Sequence, residues 1–444
     1  MDDFWFFKIA NIIFSSAFLI WAWCIKKVIG VWLNPVSIFL LFWFLYTAFP
    51  LLVAFEVPVN PIAVIYILLF CIIFSLPTFL FRWSVAFKSN IRKPEAAYYF
   101  DTSVMRSSLY VLSGLSIVMV FFGILQQGIS VNQVMNNPLS VGGEYAGKRY
   151  SGEIVSSVWA QIGMQCSYYT VALGGLIYGS RSNSFKRKAM LLIVVFMPAL
   201  MVMLLQSAKG LFFLSIFIFV GGLLVARVYN KDYRLLSFSD FRSLMVYGLL
   251  IFPFLVLSFL ARGLQKVEDF SFIVDRLRHS LISYSSVHLP AFSDWFSERY
   301  LNDSLMVYKQ ESFTVGFYTF MSFFQLAGDD RSVPVGVYDE YYRYGDYITG
   351  NLYTVFRGLI TDFGLIGSLI FALGFGSVFC FGYWGLLTLR KSAFSITFFI
   401  YSVAISYQSY IISTLTWMTI PVAFLAQWFL LFLLMKVRVG PGRG

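Results

Sequence analysis

Apolar runs of about 20 residues recur from one end of this 444-residue chain to the other, and that recurrence limits the fold more than any other feature. A run of this length crosses a ~30 Å hydrocarbon core as a helix, which satisfies its own backbone hydrogen bonds where no water can. Only 12% of the residues are charged and the mean hydropathy is +0.75. A soluble domain carries about a quarter charged residues. The pattern predicts an all-α, polytopic integral membrane protein with about eleven spanning helices, at 5–25, 35–55, 60–81, 108–127, 156–179, 189–206, 211–226, 244–262, 357–384, 392–412 and 415–435. No linker rich in Ser, Pro or charge interrupts them, so residues 1–444 read as a single membrane domain.

The charges test this count. With the first helix starting outside, the inner segments hold Lys26 and Lys27, then Arg82 to Arg106, Arg181 to Lys188, Arg227 to Arg242, Arg390 and Lys391, and Lys436 to Arg443. Twenty of the 33 Lys and Arg residues fall there, with only four of the 22 acids. Cations concentrate in cytoplasmic loops, so the N-terminus is expected outside and the C-terminus inside. The net charge of +11 therefore reports membrane sidedness, and no nucleic-acid partner is expected. Cys24, Cys71, Cys166 and Cys380 all sit inside apolar runs, which predicts no disulfide framework. The start, Met-Asp-Asp before an apolar run that ends at Lys26-Lys27, reads as a retained helix rather than a cleaved signal.

Two outer loops are long, at 128–155 and 262–356. The second contains Phe292-Ser-Asp-Trp-Phe and Phe317-Tyr-Thr-Phe-Met-Ser-Phe-Phe, too short to span and too apolar to float. Short amphipathic helices at the bilayer surface are expected there. Helices 189–206 and 211–226 read as a tight hairpin around Ser207-Ala-Lys-Gly, because one continuous helix would be about 57 Å long. Lys209 is then at its tip, and the Gly175/Gly179 pair suits a close helix contact.

The informative residues are charges at outer helix ends. Arg357 and Asp362 lie in Asn351-Leu-Tyr-Thr-Val-Phe-Arg-Gly-Leu-Ile-Thr-Asp-Phe-Gly, at the mouth of the ninth helix. A snorkelling Arg357 paired with Asp362 is the plain structural alternative there. Lys209 and Arg262 are placed similarly. Glu144, Lys148 and Arg149 share the glycine-rich Gly142-Gly-Glu-Tyr-Ala-Gly-Lys-Arg-Tyr-Ser-Gly, where a solvated turn is the alternative. Arg276, Arg278 and His279 fit a solvated helix face. There is no Walker loop, dinucleotide fingerprint or metal-ligand spacing, and no cofactor is expected.

Three of these segments resemble the bacterial O-antigen polymerases, the Wzy-type oligosaccharide repeat-unit polymerases. The segment from Tyr284 to Pro290-Ala-Phe is like the family's "Tyr…Pro-x-Ala-Phe" run, without the intervening residue. Glu311-Ser-Phe-Thr-Val-Gly-Phe-Tyr-Thr-Phe looks like its Gly-rich "Tyr-Thr-Phe" segment. Asn351-Leu-Tyr-Thr to Asp362-Phe-Gly-Leu-Ile-Gly is similar to "Asn-x-Tyr-Thr … Asp-Phe-Gly-x-x-Gly". The Arg-x10-Gly repeat of some members is absent, since Ala160, Ile273, Val287 and Ser368 stand eleven residues after Arg149, Arg262, Arg276 and Arg357.

The resemblance implies a GT-C-like fold in the bacterial inner membrane, with both long loops periplasmic. It implies an undecaprenyl-diphosphate-linked oligosaccharide as substrate, membrane lipids around it and a chain-length regulator protein as partner. The growing glycan would pass as a block onto a hydroxyl of the incoming unit, releasing undecaprenyl diphosphate. Without a metal, Arg and Lys must neutralise the leaving group. The candidates are Arg357 and Lys209, then Arg149 and Arg262, with Glu144 and then Asp362 as the base. Asp362 orienting Arg357 is an alternative role. An O-antigen ligase and a lipid-linked oligosaccharide transporter remain alternatives, although the runs 35–55, 108–127, 211–226 and 415–435 carry no charge.

Overall fold

The computed structural model describes residues 2–91, 99–180, 185–260, 270–309, 312–331, 336–388 and 392–437. In chain order the elements are α1 (Asp2–Ile29), α2 (Pro35–Val53), α3 (Pro61–Ser75), α4 (Trp83–Ile91), α5 (Ser103–Leu125), α6 (Val131–Asn136), α7 (Pro138–Tyr150), α8 (Val158–Ser180), α9 (Phe185–Leu205) and α10 (Lys209–Tyr229). There follow α11 (Phe238–Leu260), α12 (Phe270–Ser286), α13 (His288–Leu301), α14 (Phe317–Leu326), the hairpin β1 (Tyr342–Tyr344) and β2 (Ile348–Gly350), α15 (Thr354–Thr388), α16 (Ala393–Gln408) and α17 (Thr419–Val437). Helix starts follow capping chemistry. Asn34 and Asn60 cap α2 and α3 ahead of a proline, and Ser130 with Gln133 forms a capping box on α6.

Each of the eleven expected stretches is mainly helical over its described residues. Among the described residues, eight helices are long and apolar enough to cross a membrane: α1, α2, α3 with the short turn after it, α5, α9, α10, α15 and α17. Three stretches fall short for identifiable reasons. Gly163 and most residues from Cys166 to Ile177 of α8 are buried in protein, so that helix tolerates Gln, Ser, Thr and Tyr. Helix α16 has 16 residues, and the apolar part of α11 covers Gly248–Phe259. All four cysteines are free.

The chain forms two compact units, each assembled from separated segments. The first comprises Met1–Phe87, Arg278–Trp384 and Ile405–Ile420. Its core joins α2, α3 and α15, where Trp43 and Phe70 pack on Phe356 at 4.6 and 4.8 Å between ring centroids. The second comprises Lys88–Leu277, Gly385–Ala404 and Pro421–Gly444. There α8 packs on α5 and α10. The Gly175 contact expected from sequence is present. A side chain at Gly175 would collide with the Phe219 carbonyl, and one at Gly222 would come within 2.6 Å of the Ala172 carbonyl, so the two backbones touch.

Both long loops carry short helices, as expected, but α13 does not lie where the sequence placed it. Residues 128–155 fold largely as α6 and α7, held by a cluster of Val120, Ile124, Ile129, Val134, Val141 and Tyr145 with Val202 and Leu205. Within 262–356, α13 does not lie at a surface, because His288–Ser297 is wholly buried. Its polar residues have partners there: Ser293 Oγ accepts from the Asn60 amide at 2.7 Å, and Asp294 accepts from three groups. Arg276 and Arg278 of α12 are exposed, as expected for a solvated face. Helix α15 is not continuous. Gly364, at φ 70° and ψ 179°, breaks it in a conformation open essentially to glycine alone. Arg357 and Asp362 therefore sit on a short helical segment distinct from the long apolar run.

Candidate functional site

The β1–β2 hairpin builds the site in the first unit. Tyr342 pairs with Gly350, so the residues just before β1 lie beside those just after β2. Three residues between Asn351 and Arg357 grip that preceding strap. Asn351 Nδ2 donates to the Tyr338 carbonyl at 3.0 Å, and Tyr353 OH donates to the Glu340 carbonyl at 3.1 Å. Arg357 donates to Glu340 Oε2 at 3.1 Å.

Arg357 has no solvent exposure, and four aromatic rings surround its guanidinium. Tyr338 lies at 4.1 Å, Tyr353 at 4.4 Å, Trp295 at 5.5 Å and Tyr308 at 5.7 Å from ring centroid to Cζ. Ring faces attract a cation, most strongly once it is desolvated. Beneath the cage, Asp294 accepts from the Leu305 amide at 2.7 Å, the Met306 amide at 3.2 Å and the Tyr308 hydroxyl at 2.8 Å. Burial raises the Asp294 carboxyl above its ordinary value despite these bonds. Burial also pushes Tyr353 up to about 12 and Tyr308 further, so both hydroxyls stay protonated. At the rim Lys309 pairs with Asp339, whose carboxyl is held low by that ammonium.

Asp362 binds donors at the start of α14. Its Oδ1 accepts from Thr314 Oγ1 at 2.5 Å and the Tyr318 amide at 3.0 Å, while Oδ2 accepts from the Thr319 amide at 2.6 Å and Thr319 Oγ1 at 2.5 Å. These are donors at the start of α14, whose own cap is Gly316 and has no side chain to serve them. A carboxylate saturated in this way is an anchor and is poorly placed to take a proton from a substrate. Arg357 pairs with the Glu340 carboxylate.

The second unit gathers Glu144, Arg149 and Lys209. Glu144 pairs with Lys148 at 3.1 Å, one turn along α7, and Lys148 also donates to the Gln127 carbonyl at 2.6 Å. The Arg149 guanidinium reaches the Gln206 carbonyl at 3.1 Å, in the turn that leads into Lys209, and stacks over Tyr145. Lys209 is nearly buried at the first position of α10, its Nζ 3.9 Å from the Phe259 ring centroid. The expected hairpin tip is thus a packed junction. Gly142 permits it, since Ser207 Oγ donates to the Gly142 carbonyl at 2.8 Å and a side chain at Gly142 would strike the Leu204 carbonyl. The glycine brings backbone against backbone rather than backbone against a ligand. Arg262 lies outside the described residues.

Arg357 and Asp362 belong to the first unit, and Glu144, Arg149 and Lys209 to the second. Sequence reasoning missed Glu340, Trp295, Tyr308 and Tyr338. The tyrosine-dense run from Tyr338 to Tyr353 beside the acidic pair Asp339-Glu340 was the available signal. Among the described residues, no group of three His, Cys, Asp or Glu is placed to hold a metal ion. No family model, curated protein or solved structure matches the chain.

Proposed function

We propose that this protein is a bacterial inner-membrane glycosyltransferase of GT-C-like architecture, with eleven spans and its long loops facing the periplasm. It polymerises undecaprenyl-diphosphate-linked oligosaccharide repeat units. The observation that carries the reading is the desolvated guanidinium of Arg357, caged by aromatic rings within the segment most like the polymerase signature. A buried cation is costly unless anions compensate it, and the weakly exposed Glu340 carboxylate pairs with it here. Arginine binds phosphate oxygens in bidentate fashion.

In the reaction, an acceptor hydroxyl attacks the anomeric carbon of the donor glycan. Its proton passes to a carboxylate as the new C–O bond forms. The bond from the anomeric carbon to the diphosphate breaks, leaving undecaprenyl diphosphate with the bonding pair. Block transfer engages two lipid-diphosphate substrates, donor and acceptor. Arg357 is the diphosphate ligand proposed in the first unit, and Lys148, Arg149 and Lys209 are those proposed in the second. Glu144, half-exposed beside Lys148, is the base.

The test is deletion of the gene followed by complementation. Loss of a polymerase leaves the surface acceptor carrying one repeat unit without a ladder, whereas loss of a ligase leaves it bare and loss of a flippase removes the units. Complementation with Arg357→Ala should leave single units at normal protein level. Lost ladder matched by lost protein would count against the role.

A further inference from the structure

The strap Gly336–Glu340 has the features of a latch. Its first two described residues both take positive φ, Gly336 at 94° and Val337 at 78°. For a β-branched residue that conformation is an outlier, held only because its surroundings over-determine it. The surrounding contacts hold it. Asn351 and Tyr353 grip the backbone at Tyr338 and Glu340, Lys309 grips Asp339, and Arg357 grips the Glu340 side chain. Tyr338 lies over the guanidinium as a cover, stacked on Tyr318 at 5.6 Å. The outermost tether, Lys309 with Asp339, is exposed on both sides.

From this we infer that Glu340 is a resident anion of the Arg357 site, and that the strap exchanges with the diphosphate of the lipid carrier. Withdrawing the Glu340 carboxylate without a replacement would remove a paired anion from a buried cation, which is costly. Exchanging one anion for another keeps the charge compensated throughout, and release of the strap relieves the Val337 backbone. The cage rings Trp295, Tyr308 and Tyr353 come from elsewhere in the chain and stay to position the guanidinium. The closed strap lowers apparent affinity by the fraction of molecules in which it is open.

The exchange rests on the reading that the substrate carries a lipid diphosphate, and binding tests it apart from polymerisation. Undecaprenyl diphosphate is titrated into the full-length protein in detergent and followed by native mass spectrometry, with undecaprenol as the uncharged control. Glu340→Gln, which leaves the strap in place without its charge, should bind the diphosphate roughly tenfold tighter and undecaprenol unchanged. Lys309→Ala, which cuts only the exposed tether, should tighten binding several-fold and guards against a Glu340 variant that fails to fold. Affinity equal to or weaker than wild type in the folded variants would overturn the exchange. Tightened binding in a protein that makes no ladder would leave the exchange standing and sink the polymerase reading. A ladder made without tightened binding would do the reverse.

Discussion

Replacing Asp362 by Asn separates an anchor from a base. The carboxylate is 3% exposed and accepts four hydrogen bonds at the start of α14. Hydrogen bonds to a charged acceptor contribute ~1.5–3 kcal/mol each, and such values do not add within one network. Asn keeps one acceptor oxygen and turns an N–H pair toward two donors. Half the network is therefore lost and two donors are left facing a donor, at a cost of ~3–5 kcal/mol. The thermal midpoint in detergent should drop by several degrees, and ladder synthesis normalised to folded protein should be largely retained. The converse applies to Glu144, whose single half-exposed ion pair contributes at most about 1 kcal/mol. Glu144→Gln should keep the midpoint and lose the ladder. A Glu144→Gln enzyme of normal activity, or an Asp362→Asn protein of wild-type stability without activity, would refute the assignment of roles.

Three further outcomes are expected. Gly364→Ala must adopt a conformation that costs an L-residue ~1–3 kcal/mol and crowds the Phe313 ring at 3.2 Å, so its midpoint should fall; an unchanged midpoint would contradict the break in α15. Gly175→Ala pushes a methyl into the Phe219 carbonyl and should destabilise by ~1–3 kcal/mol, whereas Gly147→Ala, with open space around it, should not. His288 is buried with Nε2 donating to the Tyr46 carbonyl at 2.8 Å, and burial lowers its pKa to about 4. Because the unfolded chain takes up this proton first, the stability from the neutral ring is complete above pH ~6.5 and declines as pH falls toward 4, by ~3 kcal/mol in all. The thermal midpoint of His288→Gln should lose that acid-side slope, and an identical slope would place its origin elsewhere.

The long apolar helices were legible because a bilayer demands a length and a composition, and both are written locally. The Gly175 contact was legible for the same reason, as small residues one turn apart leave a visible gap on a helix. Helix α13 was not. Phe292, Trp295 and Phe296 read equally well as interface anchors, and only pairing with distant residues such as Asn60, Leu305 and Tyr308 shows that Ser293 and Asp294 are satisfied inside. Arg357 stood out as a charge within an apolar context, yet its partner did not. Asp362 is nearer in sequence, but the β1–β2 hairpin folds Glu340 back onto Arg357 from 17 residues away. The break at Gly364 was likewise hidden, because glycine is also common inside membrane helices.

Purified protein in lipid nanodiscs, given one defined undecaprenyl-diphosphate-linked repeat unit and no nucleotide, measures the central claim most directly. A ladder spaced by whole repeat units, with undecaprenyl diphosphate released once per bond formed, is the predicted result. Repeat units left monomeric by folded protein, or carried across the bilayer without a new glycosidic bond, would contradict it.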